Sequence, residues 1–325
     1  MRIGIYGYGN LGRGVECAVM AAEDATLVGI FTRRDPKTVT SPFGTAVYHA
    51  DILEGMRGEI DVLILCGGSA TDLPKMTPEM AEKFSVVDSF DTHKEIPNHL
   101  ARVDAAAKAG GNLALISTGW DPGLFSVARA YATAVLPDGC DYTFWGPGIS
   151  QGHSDAIRRV EGVKDARQYT IPREEALSAV AGGECPTLST SDKHRRVCYI
   201  VAKEGADLAK IEREVKEMPN YFADYETEVN FVTEEQLRRE HSGMPHGGSV
   251  IRNGRTGKDG ENRHTVNFSL SLGSNPEFTG SVLVAYARAV YRMKACGTVG
   301  CITPLDVPPV MLSPLSRDEM IKRML

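Results

Sequence analysis

The sequence predicts an α/β fold, with a doubly wound parallel sheet in the first part of the protein and an α+β domain after it. In the first 121 residues, short apolar runs alternate with helix-like stretches, which is typical of successive βα units around a parallel sheet. From Tyr142 onward, apolar and polar residues alternate within several runs, as they do in the strands of an open sheet. At 325 residues the protein is long enough for about two domains, so both patterns fit in one molecule.

The composition excludes several classes of protein. The formal net charge of -6 at pH 7 argues against general nucleic-acid binding. No apolar run is long enough to span a bilayer, and the N-terminus already has the pattern of a strand, so we expect no signal peptide, no membrane binding and a cytoplasmic location. The cysteines number 7, include no C-x-x-C pair and form no cluster with histidine at metal-ligand spacing, which predicts reduced thiols and no bound metal.

The first βα unit carries a glycine fingerprint. The apolar run Ile3 to Tyr6 is followed by Gly7-Tyr8-Gly9-Asn10-Leu11-Gly12 and then by a helix-like stretch, Arg13 to Ala22. In a Rossmann-type unit the first glycine makes the tight turn, the second lets the backbone approach a pyrophosphate, and the third allows close packing of helix and strand. A glycine-rich turn can also merely connect two elements, but its position between a strand and a helix favours a dinucleotide site.

The end of the second strand indicates which dinucleotide is bound. Val28 to Thr32 has the pattern of a buried strand, and it ends in Thr32-Arg33-Arg34. Folds that prefer NAD usually place an acidic residue at this position to accept the ribose 2′-OH, whereas two cations and a hydroxyl suit a 2′-phosphate. The pattern therefore favours NADP over NAD, the alternative being a pair of solvated arginines in a loop.

Three further apolar runs end in small or polar residues. They are followed by the stretches 67–71, 88–93 and 117–121, all of which would lie at the carboxyl edge of a parallel sheet, where ligands bind. Asp91 and Asp121 are expected near the nicotinamide end. Asp121 precedes Pro122 at the start of a helix-like run, so capping that helix is an equal alternative for its role. Asp91 has no such alternative beyond a hydrogen bond within its own loop.

A domain boundary is expected near residue 121. The predicted domains are 1–121, which binds the dinucleotide, and 122–274, which binds substrate; the segment from about 275 to 325 returns to the first domain. Antiparallel strands are expected at Glu226 to Val232, Gly248 to Arg252 and His264 to Leu272, with a polar hairpin loop from Gly254 to Asn262. Ser281 to Lys294 is predicted as a long amphipathic helix.

Several motifs, taken together in this order, resemble the meso-diaminopimelate dehydrogenase family along the whole sequence. They are Gly7 to Gly12, Phe31 to Arg34, Ser89 to His93, Gly119 to Gly123, Gln151-Gly152 and Asn275 to Thr279. The resemblance implies a dimeric, cytoplasmic, NADP-dependent enzyme of lysine and cell-wall precursor metabolism, in which 122–274 is also the dimerisation domain. Such an enzyme oxidatively and reversibly deaminates the D-centre of meso-2,6-diaminopimelate, giving L-2-amino-6-oxopimelate and ammonium.

The resemblance also implies site residues, among which Asp91 and Asp121 are the catalytic candidates. The implied NADP contacts, which include the fingerprint glycines, are Gly7, Tyr8, Gly9, Asn10, Leu11, Gly12, Thr32, Arg33, Arg34, Cys66, Gly67, Gly68, Ser69, Ser89, Phe90, Asp91, Thr118, Gly119, Trp120, Asp121 and Pro122. The implied substrate contacts are Asp91, Asp121, Trp145, Gln151, Gly152, Thr170, Arg196, His246 and Asn275. Within this set, the family grips the carboxylate of the distal L-centre with the counterparts of Thr170, Arg196 and His246.

The chemistry of the substrate is consistent with these assignments. It has two ammonium and two carboxylate groups, so a site needs anionic side chains at one end and a cation such as Arg196 at the other. Trp145 would form an apolar wall over the substrate's methylene groups, although a core aromatic is an equal alternative. For Arg196 the alternative is a surface charge, and for His246 it is an ordinary loop residue.

Three other functions remain open on sequence alone. One is an NADP-dependent reductase of the same architecture, similar to dihydrodipicolinate reductase or homoserine dehydrogenase, which should lack the pairing of Asp91 and Asp121 with Arg196. Another is a non-catalytic NADPH-binding sensor, which would bind the nucleotide without turnover. The third is a family member broadened toward other D-amino acids, which would depend weakly on Arg196 and Thr170.

Overall fold

The computed structural model describes residues 1–325, which form two compact units. The first unit comprises Met1–Val127 and Pro276–Leu325, and the second comprises Ala128–Asn275. The boundary after Val127 lies later than residue 121, because it falls inside a helix, Leu124–Val135, that continues from one unit into the other.

The protein has fourteen strands and eleven α-helices. The strands are β1 (Arg2–Tyr6), β2 (Thr26–Thr32), β3 (Val47–His49), β4 (Val62–Leu65), β5 (Val86–Asp88), β6 (Leu113–Leu115), β7 (Gly139–Trp145), β8 (Gly148–Ile149), β9 (Val163–Pro172), β10 (His194–Ala202), β11 (Thr227–Phe231), β12 (His246–Thr256), β13 (Asn262–Leu272) and β14 (Gly300–Ile302). The helices are α1 (Asn10–Met20), α2 (Leu73–Ala81), α3 (Ile96–Gly110), α4 (Leu124–Val135), α5 (Gln151–Arg158), α6 (Glu174–Ala181), α7 (Thr190–Lys193), α8 (Leu208–Lys216), α9 (Glu234–Glu240), α10 (Asn275–Ala295) and α11 (Arg317–Met324). None of the helices combines the length and the apolar character that crossing a membrane requires.

The sheet of the first unit has seven strands in the order β14-β6-β5-β4-β1-β2-β3, and all of them are parallel. Ile3, Ile5 and Ile64 pack with residues of α1 and α10 on one face of the sheet. Leu63 and Leu65 pack with residues of α2 and α3 on the other face. Because both faces are covered, the strands are mostly apolar, and the predicted α/β class with a doubly wound parallel sheet is confirmed.

The C-terminal segment contributes both a strand and a helix to the first unit. Strand β14 pairs with β6 at the edge of the sheet, where Gly300 lies opposite Leu113. Helix α10 begins at Asn275 rather than at the predicted Ser281, because Pro276 lies in its first turn, where a proline needs no hydrogen-bond donor.

Helices α1 and α10 approach each other closely at two glycines. A Cβ at Gly280 would lie 2.4 Å from the carbonyl carbon of Gly14, so no side chain fits there. We expect Gly280→Ala to lower the free energy of unfolding by about 2–3 kcal/mol, because overpacking forces the two backbones apart. Urea denaturation measures this change. Gly55→Ala is the control, since a Cβ at Gly55 meets no atom within 4 Å; equal stability of both variants would contradict the close packing.

The second unit contains two sheets, with the strand orders β11-β10-β9-β8 and β13-β12-β7. The prediction that 226–232 is antiparallel is wrong, because β11 pairs with β10 in parallel. Helix α8 connects the two strands and provides the crossover that a parallel neighbour requires. The hairpin loop is shorter than predicted, because the ladder of β12 and β13 continues to the pair Thr256 and Asn262.

Candidate functional site

The glycine turn follows β1 and leads into α1. Gly7 has φ +99°, a conformation that favours glycine, and a Cβ at Gly12 would lie only 2.3 Å from the carbonyl oxygen of Gly7. By contrast, a Cβ at Gly9 would meet no atom within 4 Å, so there is open space beside this residue. The N-terminus of α1 is not capped by a side-chain hydrogen bond. The open space and the helix N-terminus together suit the pyrophosphate of a dinucleotide.

Two arginines at the end of β2 lie beside this turn. The Arg34 Nη2 group donates to the carbonyl oxygen of Tyr8 at 2.7 Å, and the backbone N–H of Arg34 donates to the Thr32 Oγ1 atom at 3.1 Å. The Arg33 Nη2 atom pairs with the Asp72 Oδ1 atom at 2.7 Å. Both arginines are exposed, but Arg34 contacts the glycine turn and Arg33 contacts the segment after β4.

The segment after β4 connects the turn to the predicted nicotinamide end. Cys66 is buried, which raises the pKa of its thiol and keeps it neutral. The Gly68 N–H donates to the Asp72 Oδ2 atom at 2.8 Å, which closes the loop. Further along, the Asp91 N–H donates to the Ser69 Oγ atom at 2.9 Å, and the Ser69 hydroxyl donates to the Asp91 carboxylate. The structure therefore brings together Ser69 and Asp91, two residues predicted for this site.

A fully buried carboxylate, Asp88, holds the two loops that carry Asp91 and Asp121. Its Oδ1 atom accepts the N–H of Phe90 at 3.1 Å and the N–H of Ser117 at 2.8 Å. The only signal in the sequence is an acidic residue directly after the apolar pair Val86-Val87, which does not predict these partners. Asp88 thereby organises the site without being among the residues predicted for it.

The other oxygen of Asp88 is held from two helices. Its Oδ2 atom accepts from the Thr77 Oγ1 atom at 2.7 Å and from the His99 Nε2 atom at 2.8 Å. His99 is itself fully buried and stacks on Phe90, with 4.2 Å between the ring centroids. A buried carboxylate that accepts four hydrogen bonds is rigidly placed, so the loops that depend on it are fixed as well.

Asp121 precedes α4, which begins at Leu124, three residues further along. Trp120, beside it, is 8% exposed and contacts Phe125 edge to face at 5.3 Å between ring centroids. Asp121 itself is half-buried.

The second unit contains a buried cation without an acidic partner. Arg196 on β10 is 6% exposed, so it is not the surface charge that the sequence left open. Its Nη1 group donates to Thr170 Oγ1 across the pair of strands β9 and β10, and its guanidinium lies over the Tyr225 ring at 3.9 Å from the centroid. The Nε atom has no hydrogen-bond partner, and no carboxylate forms an ion pair with this residue. A buried guanidinium of this kind is suited to bind a carboxylate.

Three buried or half-buried imidazoles lie close enough to Arg196 to be affected by its charge. Burial, followed by the charge of Arg196, lowers the pKa of His153 to about 4. Burial, followed by Arg196 and Lys193, lowers the pKa of His194 to about 3. Burial also lowers the pKa of His246, against the effect of its hydrogen bond with Gly247. All three are neutral near pH 7, so they add no positive charge to that of Arg196.

His194 holds the tryptophan predicted to form the apolar wall. Its Nε2 atom accepts the backbone N–H of Trp145 at 2.8 Å, and the two rings stack with 5.4 Å between their centroids. The Nδ1 atom of His194, which carries the proton in this arrangement, is buried without a partner. His194 and Tyr225 are therefore site residues that the sequence patterns do not predict, because each acts through a neighbour that is distant in the sequence.

The remaining predicted residues of the second unit meet around Met244. The Gln151 Nε2 atom lies 3.6 Å from the Met244 Sδ atom, and the Asn275 N–H donates to the Met244 carbonyl oxygen at 2.8 Å. Gly152 follows Gln151 at the exposed start of α5. The ladder of β12 places His246 two residues after Met244, where it is 9% exposed and not part of a solvated loop.

The depressed pKa of His194 predicts a dependence of stability on acid pH. Above pH 6.5 the residue is neutral in both the folded and unfolded states, so it has no effect on the pH dependence there. Below this pH the unfolded state binds the proton first, and stability falls until the pH reaches about 3. Between pH 6.5 and 5 we expect a loss of about 2 kcal/mol from this residue.

Urea denaturation at both pH values measures this loss. His194→Gln retains an acceptor for the Trp145 N–H, and its free energy of unfolding should decrease by about 2 kcal/mol less than that of the wild type between the two pH values. Replacing the exposed His93 with glutamine should leave the decrease in the free energy of unfolding unchanged. An identical pH dependence in the wild type and His194→Gln would contradict the depressed pKa.

The protein is similar to known proteins along its whole length. A family model described as the diaminopimelic acid dehydrogenase C-terminal domain matches residues 119–274. A meso-diaminopimelate D-dehydrogenase of Ureibacillus thermosphaericus is 55% identical over 325 residues, which cover 100% of this protein and 99% of that relative.

Two solved structures are similar over equally long stretches. One is a mutant of meso-diaminopimelate dehydrogenase from Clostridium tetani E88 with diaminopimelate; the TM-score is 0.95, the identity 51%, and the match covers 100% of this protein and 99% of that one. The other is an engineered D-amino acid dehydrogenase bound to NADP⁺, with a TM-score of 0.90, 46% identity and coverage of 100% and 99%. Identity of this extent over the full length shows that the protein belongs to the meso-diaminopimelate D-dehydrogenase family.

Proposed function

We propose that this protein catalyses the reversible, NADP-dependent oxidative deamination of the D-centre of meso-2,6-diaminopimelate, which yields L-2-amino-6-oxopimelate, ammonium and NADPH. The observation that carries the proposal is Arg196, a buried cation that has no acidic partner. The substrate's distal carboxylate would supply that partner. The reaction would serve the synthesis of lysine and cell-wall precursors, and the cytoplasm is the compartment we propose for it.

The first unit has the features that NADP requires. The open space at Gly9 and the uncapped N-terminus of α1 fit the pyrophosphate, and Arg33 and Arg34 with Thr32 fit the 2′-phosphate. When bound, NADP supplies the acceptor for the hydride of the D-carbon. The other proposed contacts of the cofactor are Tyr8, Asn10, Leu11, the segment 66–69, Ser89, Phe90 and the segment 118–122.

We propose that the carboxylates of Asp91 and Asp121 bind the reacting ammonium group and hold the D-centre in place. The ammonium group must first lose a proton, because only the neutral amine can release a hydride from its carbon. Asp91 and Asp121 would therefore contact the group whose protonation state controls hydride transfer. Loss of the hydride leaves the protonated imine of the substrate. Water then adds to this imine, and the resulting carbinolamine collapses to the ketone and ammonia. The Asp88 network supports this role, because it fixes the backbone on both sides of the site.

The second unit would recognise the other end of the substrate. Arg196 with Thr170 and His246 is proposed to bind the carboxylate of the L-centre, and Trp145 to cover the methylene groups. Gln151, Gly152 and Asn275 complete the proposed contacts. The mutant of the Clostridium tetani protein, which is described with diaminopimelate, has substitutions of a glutamine, a threonine, an arginine, a proline, a histidine and an asparagine. Five of these residue types are the types proposed here, which supports the assignment.

We also propose that the protein is a homodimer formed through the second unit. Strand β13 is an edge strand of 11 residues in which both faces are exposed over most of its length. Val266 is 36% exposed and Phe268 is 39% exposed on this strand. A long, exposed edge strand with apolar side chains is a surface that natural proteins usually cover. Light scattering after size exclusion tests the proposal, and a monomer at micromolar concentration would contradict it.

Formation of NADPH, followed at 340 nm, tests the reaction. The purified protein is mixed with NADP and with meso-, LL- or DD-diaminopimelate or D-alanine in turn, and the series is repeated with NAD. We expect turnover of the meso isomer with NADP and at most slow turnover of the others. Turnover of D-alanine at the same rate would indicate a broadened amino-acid dehydrogenase, and NADPH binding without any turnover would indicate a sensor.

A further inference from the structure

A buried glutamate on α1 has no role in the site described so far. Glu16 is fully buried, and no lysine or arginine forms an ion pair with it. Its carboxylate instead accepts hydrogen bonds from three hydroxyl groups, those of Tyr8, Ser41 and Thr45, of which the Ser41 Oγ contact is 2.6 Å. A buried carboxylate of this kind is costly unless its lone pairs are satisfied, so the three hydroxyls are firmly held around it.

Two of these hydroxyls belong to the segment that follows the arginine pair. Residues 33–46 connect β2 to β3, and Ser41 organises the middle of this connection. Its Oγ atom accepts the backbone N–H groups of Phe43 and Thr45, each at 3.0 Å. Glu16 therefore anchors the segment after Arg34 directly onto α1.

The third hydroxyl is that of Tyr8, whose backbone carbonyl oxygen is also the hydrogen-bond partner of the Arg34 side chain. Tyr8 is 4% exposed, its hydroxyl donates to Glu16, and its carbonyl oxygen accepts the Arg34 Nη2 group at 2.7 Å. The Arg13 guanidinium lies 5.8 Å from the centre of its ring. Glu16 thus contacts two parts of the structure next to Arg34. One is the glycine turn, whose Tyr8 carbonyl oxygen binds the Arg34 guanidinium, and the other is the segment that follows Arg34 in the sequence.

We infer that Glu16 is a positioning residue for recognition of the 2′-phosphate, acting on Arg34 through Tyr8 and through the segment 41–45. The inference rests on the proposed site for NADP. A guanidinium that is already held in place loses little conformational freedom when a phosphate binds, so its affinity for the phosphate is higher than that of a mobile arginine. Glu16 itself touches neither substrate nor cofactor in this scheme.

The test compares dissociation constants for NADP and NAD, measured by calorimetry without substrate. NAD lacks the 2′-phosphate, so the ratio of the two constants reports on that group alone. We expect Tyr8→Phe to weaken NADP about fivefold and Glu16→Ala about tenfold or more, with the affinity of Glu16→Ala for NAD changed by less than about twofold. Glu16→Gln, which keeps an acceptor and a similar volume, should lie between Glu16→Ala and the wild type.

Tyr142→Phe is the matched control, because Tyr142 is a buried tyrosine of the second unit whose hydroxyl donates to the Pro186 carbonyl oxygen at 2.8 Å. Its ratio should equal that of the wild type. If Glu16→Ala does not fold, Thr45→Val decides the question by lowering the preference for NADP, since it removes one hydroxyl that donates to Glu16, keeps the volume of the side chain and lies outside the proposed cofactor contacts. Equal weakening of NADP and NAD, or an unchanged ratio, would overturn the inference alone. A wild-type protein that does not prefer NADP to NAD would overturn it together with the proposed cofactor site.

Discussion

Arg196→Met is expected to raise the KM for meso-diaminopimelate by about 100-fold or more, with a smaller change in kcat. The variant removes the buried cation proposed to bind the distal carboxylate, and loss of one partner of a buried, hydrogen-bonded charge pair costs about 2–5 kcal/mol. Methionine has a similar volume and no charge, so the pocket should remain filled. Because the lost contact lies far from the reacting carbon, most of the effect should appear as weaker substrate binding.

The neighbouring arginine provides the control for this prediction. Arg195 is on the same strand but is half-exposed and pairs with Glu228 at 3.4 Å, so Arg195→Met should leave the KM within about twofold of the wild type. Small D-amino acids, which lack the distal carboxylate, should react equally well with wild type and Arg196→Met. Unchanged kinetics in Arg196→Met would place Arg196 outside the substrate site.

Replacement of both Arg33 and Arg34 with alanine is expected to weaken NADP binding by about 100-fold or more and to leave NAD within about threefold. Each guanidinium would otherwise make charge-assisted hydrogen bonds to the 2′-phosphate, which NAD does not have. Arg34 is placed by the Tyr8 carbonyl oxygen and Arg33 by Asp72, so the two cations would meet the proposed phosphate from these positions. Calorimetric titration with each nucleotide measures the two affinities.

The control for the double variant is Arg57→Ala, in the same unit. Arg57 pairs with Glu54 at 3.1 Å on the surface, and its loss changes the net charge without affecting the glycine turn. Its NADP affinity should be close to that of the wild type at about 0.15 M salt, where exposed charges are screened. An equal loss of NADP and NAD affinity in the double variant would refute recognition of the 2′-phosphate by this pair.

Much of the first unit is encoded by patterns that are local in the sequence. The strand, glycine turn and helix from Ile3 to Met20 follow from apolar periodicity, from the positive φ of Gly7 and from the close approach of Gly12 to the Gly7 carbonyl oxygen, all of which are local in the sequence. The succession of such units predicts the parallel sheet, and it is confirmed. The order of short motifs also predicts the family, which the similarity to known dehydrogenases confirms.

The organisation of the site could not be predicted in the same way, because it depends on contacts between residues that are distant in the sequence. Asp88 bonds to Ser117, 29 positions further along, and Glu16 bonds to Ser41, 25 positions further along. In sequence each is an ordinary acidic residue, and only burial converts it into the centre of a network. The direction of β11 likewise depends on how α8 crosses the sheet, which period and turn signals do not specify.

The sequence by itself therefore determined the fold class, the glycine turn, the arginine pair and the family. Only the tertiary structure decided that Arg196 is buried without a carboxylate, that His194 holds Trp145, and that Glu16 and Asp88 fix the loops of the first unit. The physical reason is that periodicity and turn chemistry act over a few residues, whereas burial and the pairing of polar groups are set by packing across the whole unit.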